Sequence, residues 1–253
     1  GGRITLPVGT YSAICHNADS DSHGFVGRNS FDDFGLRLGD LKNLGDFTSR
    51  PSMLPRANGA ESERMANSPD SIWVASIPFV EIFEPISPEA PAQTVSFLMQ
   101  PVVHHYTFII HNPINFNSAT AIMASVSGMS ATVHPGRGMT GDETVTHAFD
   151  MAPMADGGLI GHLLTFGHCA ARPVISRVTA DPDSGLHSLV VYATLADGRN
   201  WYSTHDVTDQ IHSSTSLDCV VHLDSISIPP SSAGGGFRPN VGGWEGSGET
   251  IGM

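Results

Sequence analysis

The sequence predicts an all-β protein built from β-sandwiches, and three observations predict it. Strand-like runs recur at about 8–12-residue spacing with turn residues between them. The polar balance rests on short side chains, with 27 glycines, 17 prolines and a single lysine, Lys42, where long solvated helices would need Lys, Glu and Gln. Charged residues make up only 15% of the chain, against ~25% in ordinary soluble domains.

From the start, Ile4 to His16 reads as a strand, a Pro-Val-Gly corner and a second strand, and Asn17 to Ser22 as a polar turn. Beyond Gly24 the pattern weakens, Asp40 to Leu44 allows one helical turn, and residues 50–71 predict a long surface loop. Ile72–Ile77 and Phe79–Phe83 are strand-like but split by Pro78. Thr94–Met99 is another strand, and Pro101 marks the expected boundary between domains at 1–100 and 101–253. The second half is clearer: Tyr106–His111, Ala119–Val133, Thr144–Met151, Leu159–Phe166, Leu186–Leu195, Trp201–Thr204 and Cys219–Ile228. Asp197-Gly198 signals a hairpin whose two central residues take positive φ. His205–Ile211 predicts one short helix capped by Asp206 or Thr208. The chain then closes on Phe237, Val241 and Trp244, with an apolar Ile251-Gly-Met253, a pattern that predicts a last strand docked into a sheet.

The net charge of -13 and twelve scattered basic residues give no cationic patch for phosphate, so no nucleic acid partner is expected. Three cysteines, Cys15, Cys169 and Cys219, lack a C-x-x-C pair, which argues against a disulfide framework or a thiolate zinc site and favours small buried hydrophobes. No apolar run is long enough to cross a membrane as a helix.

Candidate chemistry is sparse. His104, His105 and His111 cluster in sequence, but His105 and His111 on one strand lie roughly 20 Å apart, too far for one ion. Asn17-Ala-Asp19-Ser-Asp21 imitates a calcium loop yet has Ser22 where glycine belongs and Arg28 where a bidentate Glu belongs. No nucleophile elbow and no phosphate loop occur, so no catalytic residue, metal or cofactor is assigned. Trp201 with Tyr202 after the hairpin is the one candidate for ligand contact, as a sugar platform.

Several segments share their order with a known family: Leu6-Pro-Val-Gly-Thr-Tyr11, Asn17-Ala-Asp19, Val126-Ser-Gly-Met-Ser130, Leu164-Thr-Phe-Gly167, Asp206-Val-Thr-Asp-Gln-Ile211, Ile228-Pro-Pro230 and the Gly-rich C-terminal end. In these the chain resembles the Bacteroides-type fimbrillin-related surface lipoproteins, a domain of unknown function. The resemblance implies two tandem transthyretin-like antiparallel β-sandwiches, the first incomplete at its start. It implies a non-enzymatic component or anchor of a fimbria, or a related adhesin, whose precursor is exported and held at the outer membrane by a lipid. The implied partners are other fimbrial subunits or surface proteins, meeting through strand exchange in which Phe237, Val241, Trp244, Ile251 and Met253 form the terminal strand. A non-polymerising surface lipoprotein that binds glycans or host proteins is the alternative. The chain shows no lipobox cysteine near its start, and its first domain begins late, as in a truncated sequence.

Overall fold

The structure is a computed structural model that describes residues 2–17, 21–42, 54–85, 87, 90–169, 187–231 and 244–247. Its elements in order are β1 (Gly9–His16), β2 (His23–Val26), β3 (Gly35–Leu38), β4 (Arg64–Ala66), β5 (Trp73–Ile82), β6 (Gln100–Pro101) and β7 (His104–Ile114). A 3-10 turn (Phe116–Ser118) leads to β8 (Ala119–Ser130), β9 (Thr132–His134), β10 (Met139–Thr140), β11 (Thr144–Pro153) and β12 (Leu159–Thr165). Then follow β13 (Ser188–Leu195), β14 (Asn200–Asp206), α1 (Thr208–Ser213), β15 (Asp218–Ser227) and β16 (Trp244–Ser247). The described residues are all-β with one short α-helix.

The main body is a two-layer sandwich cut from one long sheet, ordered β15-β7-β12-β11-β8-β13-β14-β16. The bend lies in β11, which pairs with β8 as far as Asp150 and then with β12 from Met151. Tyr106, Phe108 and Ile110 of β7 alternate with exposed or half-exposed neighbours, as a strand with one wet face must. They pack in one core with Val126, Leu189, Val191 and Trp201 from the other layer. At Gly161 a β-carbon would come within 2.7 Å of the Phe149 ring, so that ring packs directly over β12 where glycine leaves room. Among the described residues the pairing is mostly antiparallel, as expected, with three parallel exceptions, β4 with β11, β7 with β15 and β14 with β16.

β8 and β13 are buried on both faces, and residues 54–66 supply the reason. Leu54, Ala57, Ala60 and Met65 lie over Met123, Val190 and Tyr192 on the outer side of the sheet. The stretch expected as surface loop is therefore a cover, recognisable as apolar only at these spaced positions. Two polar clasps hold it. Tyr192 donates its hydroxyl to the Pro55 carbonyl at 2.6 Å, and burial pushes that phenol up to about 12. Glu63, only 8% exposed, accepts from the Gly128 N–H at 3.1 Å and the Thr146 hydroxyl at 2.9 Å. Removing that acceptor strands a buried amide and hydroxyl. Glu63→Ala is therefore expected to lower stability by about 2 kcal/mol in urea denaturation, and the cover should become the first site of proteolytic cleavage.

The first hundred residues do not stay apart from the rest. β3 pairs with β9, and β4 with β11, while Leu36, Leu38, Ala66, Ile72 and Val74 join the main core. Arg37 and Arg64 both bind the Glu143 carboxylate, at 2.7 and 2.8 Å, and Arg64 also reaches Asp40 at 3.0 Å. The paired guanidinium of Arg37 is the first cause holding the Glu143 carboxyl below its ordinary range. A division at residue 100 thus cuts through shared sheets and a shared core.

Other expectations shift in detail. β5 runs straight through Pro78, because an irregularity there sets Pro78 and Phe79 opposite Ser12, whose hydroxyl donates to the Pro78 carbonyl at 2.7 Å. Thr94–Met99 forms no strand. The Asp197-Gly198 hairpin has positive φ at Gly198 alone, 83°, with Leu195 and Arg199 bonded across a three-residue loop. α1 begins at Thr208, and Asp206 accepts the Thr208 N–H at 2.9 Å from just outside it. All three cysteines are free thiols, Cys169 and Cys219 buried and Cys15 half-buried.

Candidate assembly surface

The N-terminal sheet has the order β1-β5-β6, and β5 packs into the main core through Val74. Its register pairs Tyr11 with Val80, Ala13 with Ile77 and Cys15 with Ala75, so these six share one face. That face is apolar, and Tyr11, Ala13, Cys15, Ile77 and Val80 are all only half-buried. Exposed hydrophobics lie on and next to its strands along the chain: Phe79 at 80% exposure within β5, Trp73 at its start and Phe83 just after it, Ile4 at 79%, Leu6 and Val8 before β1, and Leu98 at 81% before β6. Scattered exposed hydrophobics are ordinary, but so many on and beside one sheet mark a surface built for contact. β1 pairs only with β5 among the described residues, so its outer row of N–H and C=O groups is also open for pairing. Further along, the Gln93 side chain donates to the Glu81 carbonyl at 2.6 Å and accepts from the Phe83 N–H at 3.5 Å, taking up part of the β5 margin.

The predicted sugar platform does not stand. Trp201 is 4% exposed and packs in the main core, because β14 turns it inward opposite Ala193. A ring withdrawn from water has no face to offer a sugar. Tyr202, on the opposite face of the same strand, is half-buried against the group that includes Leu54, Met123 and Tyr192.

At the other end of the chain, Trp244 opens β16, which pairs in parallel with Asn200–Ser203 on the margin of the main sheet. Phe237, Val241, Ile251 and Met253 lie outside the described residues, as does Asp19 of the calcium-like turn. Asn17 clamps that turn, donating to the Ser71 carbonyl at 3.1 Å and accepting from the Trp73 N–H at 2.8 Å.

The histidines fall into pairs that sequence spacing did not reveal. His105 stacks on His162 at 5.3 Å and lies 3.6 Å from Asp218, while His111 and His222 meet at 3.0 Å. These partners sit on neighbouring strands, visible only once register is known. His168, His187 and His212 form a third group. Among the described residues no three His, Cys, Asp or Glu side chains are grouped to hold a metal ion. No helix among them is long and apolar enough to cross a membrane.

The chain is a β-sandwich with a further three-stranded sheet, and comparison with known proteins places it in a family. The family model described as "Domain of unknown function (DUF5119)" matches residues 1–150, and the chain belongs to that family. A Bacteroides ovatus protein named "Putative fimbrium anchoring subunit Fim4B" is 20% identical over 96% of this chain and 75% of its own length. Among solved structures, a "putative adhesin" from Bacteroides ovatus superposes with a TM-score of 0.61 at 19% identity, covering 90% of this chain and 77% of that one. That likeness establishes the fold. The fimbrial anchor protein Mfa2 from Porphyromonas gingivalis gives a TM-score of 0.48 at 11% identity, covering 88% and 69%.

Proposed function

We propose that this chain is a non-enzymatic cell-surface protein, a fimbrial anchor or subunit, that joins its neighbours through the N-terminal sheet. The observation that carries the reading is the open apolar face and free margin of β1-β5. An extended segment from another subunit would pair with the β1 backbone and set alternate side chains into the Tyr11–Val80 face, so main-chain bonds give affinity and pockets give specificity. The terminal segment around Phe237, Val241, Trp244, Ile251 and Met253 is a candidate donor of the same kind. Attachment to the outer membrane through a lipid on the precursor, as in the fimbrial lipoproteins it resembles, completes the proposal. The relatives' names favour this role over catalysis.

The test is to shear surface filaments from cells carrying the gene and to blot filament and membrane fractions, with a photo-crosslinker placed at Phe79. A subunit or anchor crosslinks to a second fimbrial protein through that position. Recovery only as an uncrosslinked monomer in the membrane fraction would instead favour an independent adhesin.

A further inference from the structure

The outer face of β12, β7 and β15 gathers four imidazoles, His162, His105, His111 and His222. Strand parity puts the β7 histidines at positions 105 and 111 on the wetter face, since Tyr106, Phe108 and Ile110 turn into the core. Along β7 those two are too far apart to share an ion. Across the strands the geometry differs. The register sets His222 abreast of Ile109, so it is a diagonal neighbour of His111. Nε2 of His111 lies 3.0 Å from Nδ1 of His222. The ring centres are 5.1 Å apart and the planes 13° from parallel, so the rings lean together at those two nitrogens.

That spacing is the one a shared metal ion needs. Two nitrogens each ~2.0–2.1 Å from one ion stand about 2.9 Å apart at a right angle and about 3.4 Å apart at the tetrahedral angle. The other pair on this face is less ready. His105 stacks on His162 at 5.3 Å, but His162 turns its Nδ1 to the Thr107 hydroxyl at 3.2 Å, and His105 turns its Nδ1 toward Asp218 at 3.6 Å. Those nitrogens serve other partners and not each other.

The surroundings suit a cation. β7, β12 and β15 contain no lysine or arginine. Asp224 is exposed and stands abreast of His111, between the Leu223–Ile110 and Ser225–Asn112 pairs. The net charge of -13 adds a general attraction. Both histidines are exposed, so an ion reaches them from solvent. The backbone of His222 is fixed from two sides. Gln210 of α1 accepts its N–H at 2.7 Å and donates to its carbonyl at 2.9 Å, while the ladder to β7 holds the strand. Binding therefore orders little beyond two side chains. Imidazole donors favour copper, nickel and zinc over calcium or magnesium, which prefer oxygen.

We propose that His111 and His222 form a two-histidine chelate for a divalent transition-metal ion of the copper, nickel or zinc class on the outer face of the sheet. One of the two nitrogens now donates its proton to the other. To bind, the donor ring passes that proton through water to its own second nitrogen, both rings stay neutral, and both lone pairs meet the ion. The protein fills two adjacent positions, and water or a ligand from another molecule fills the rest. No third His, Cys, Asp or Glu side chain joins them among the described residues. The bound ion would fasten β15, which ends the sheet, to β7. The site is independent of whether the N-terminal sheet joins fimbrial neighbours.

Copper(II) nitrilotriacetate, titrated into the whole chain at neutral pH, is the probe. Its chelator leaves two adjacent positions on the metal and so selects a histidine pair over single histidines. One equivalent is expected to bind in a tight class, with pulsed EPR showing two imidazole nitrogens on the copper. His111→Asn and His222→Asn should each weaken that class by about a hundredfold, because the second bond is intramolecular, while His105→Asn leaves it within about twofold. Both positions are exposed, so all three variants should keep the urea midpoint of the wild type. Three results overturn the site: no tight equivalent, a tight equivalent indifferent to both substitutions, which would put the copper on another imidazole group, or a single imidazole nitrogen in the EPR signal.

Discussion

Replacing His147 by leucine is expected to remove a large acid liability of the fold. His147 lies wholly buried in β11, and neither ring nitrogen reaches a hydrogen-bond partner, although the Ala66 main chain alongside slightly favours the proton. Burial first, and the Arg64 cation second, push the imidazole from 6.5 down to about 3. The folded protein therefore keeps this ring neutral, while the unfolded chain takes up a proton below its ordinary value. Stability from this residue is complete above pH 6.5 and is lost as pH falls toward 3, at about 1.4 kcal/mol per pH unit. Comparing urea denaturation of wild type and His147→Leu at pH 7.5 and 4.5 isolates the effect. The variant should gain about 3 kcal/mol relative to wild type on moving to the lower pH, and should match or exceed it at neutral pH because two unpartnered nitrogens are gone. A constant difference between the two proteins across that range would mean that His147 is hydrated or paired.

Trp201→Ala is the second large effect, and its sign separates two views of the same residue. A sugar platform at the surface would lose ligand and keep its stability. A core tryptophan at 4% exposure, packed between the two layers, loses its transfer free energy and leaves a cavity, together about 3–5 kcal/mol. The urea midpoint should fall accordingly, with Trp201→Phe recovering much of the loss. An unchanged midpoint would return the ring to the surface.

The strands of the second half were legible because their signal is local. Tyr106, Phe108 and Ile110 alternate with His105, Thr107, Ile109 and His111, three of them polar, on one wetter face, and that alternation is read from the local sequence. What was missed depends on partners far along the chain. Residues 54–66 look like a loop by composition, and only the proximity of Met123 and Tyr192 turns four spaced apolar residues into a cover. Trp201 follows a hairpin tip, where exposure is usual, yet strand parity and β13 direct it inward. Histidine pairing followed register in the same way: His111 and His222 are separated by 111 positions and meet because β15 returns parallel to β7. The open N-terminal sheet was the reverse case. β1 and most of β5 were visible, β6 was not, and periodicity alone does not say what covers them.

The interleaving of β3 and β4 with the far half sets an order in time. Arg37 meets Glu143 across 106 positions, and Leu36 waits for Val133 to complete its ladder. Pairings of such long range pay their loop-closure entropy before any contact repays it, which slows folding. As the chain emerges from the ribosome, β2 and β3 can pair with each other, but β3 and β4 lack their far partners until β9 and β11 are made. During that interval their apolar positions are open to whatever meets them first.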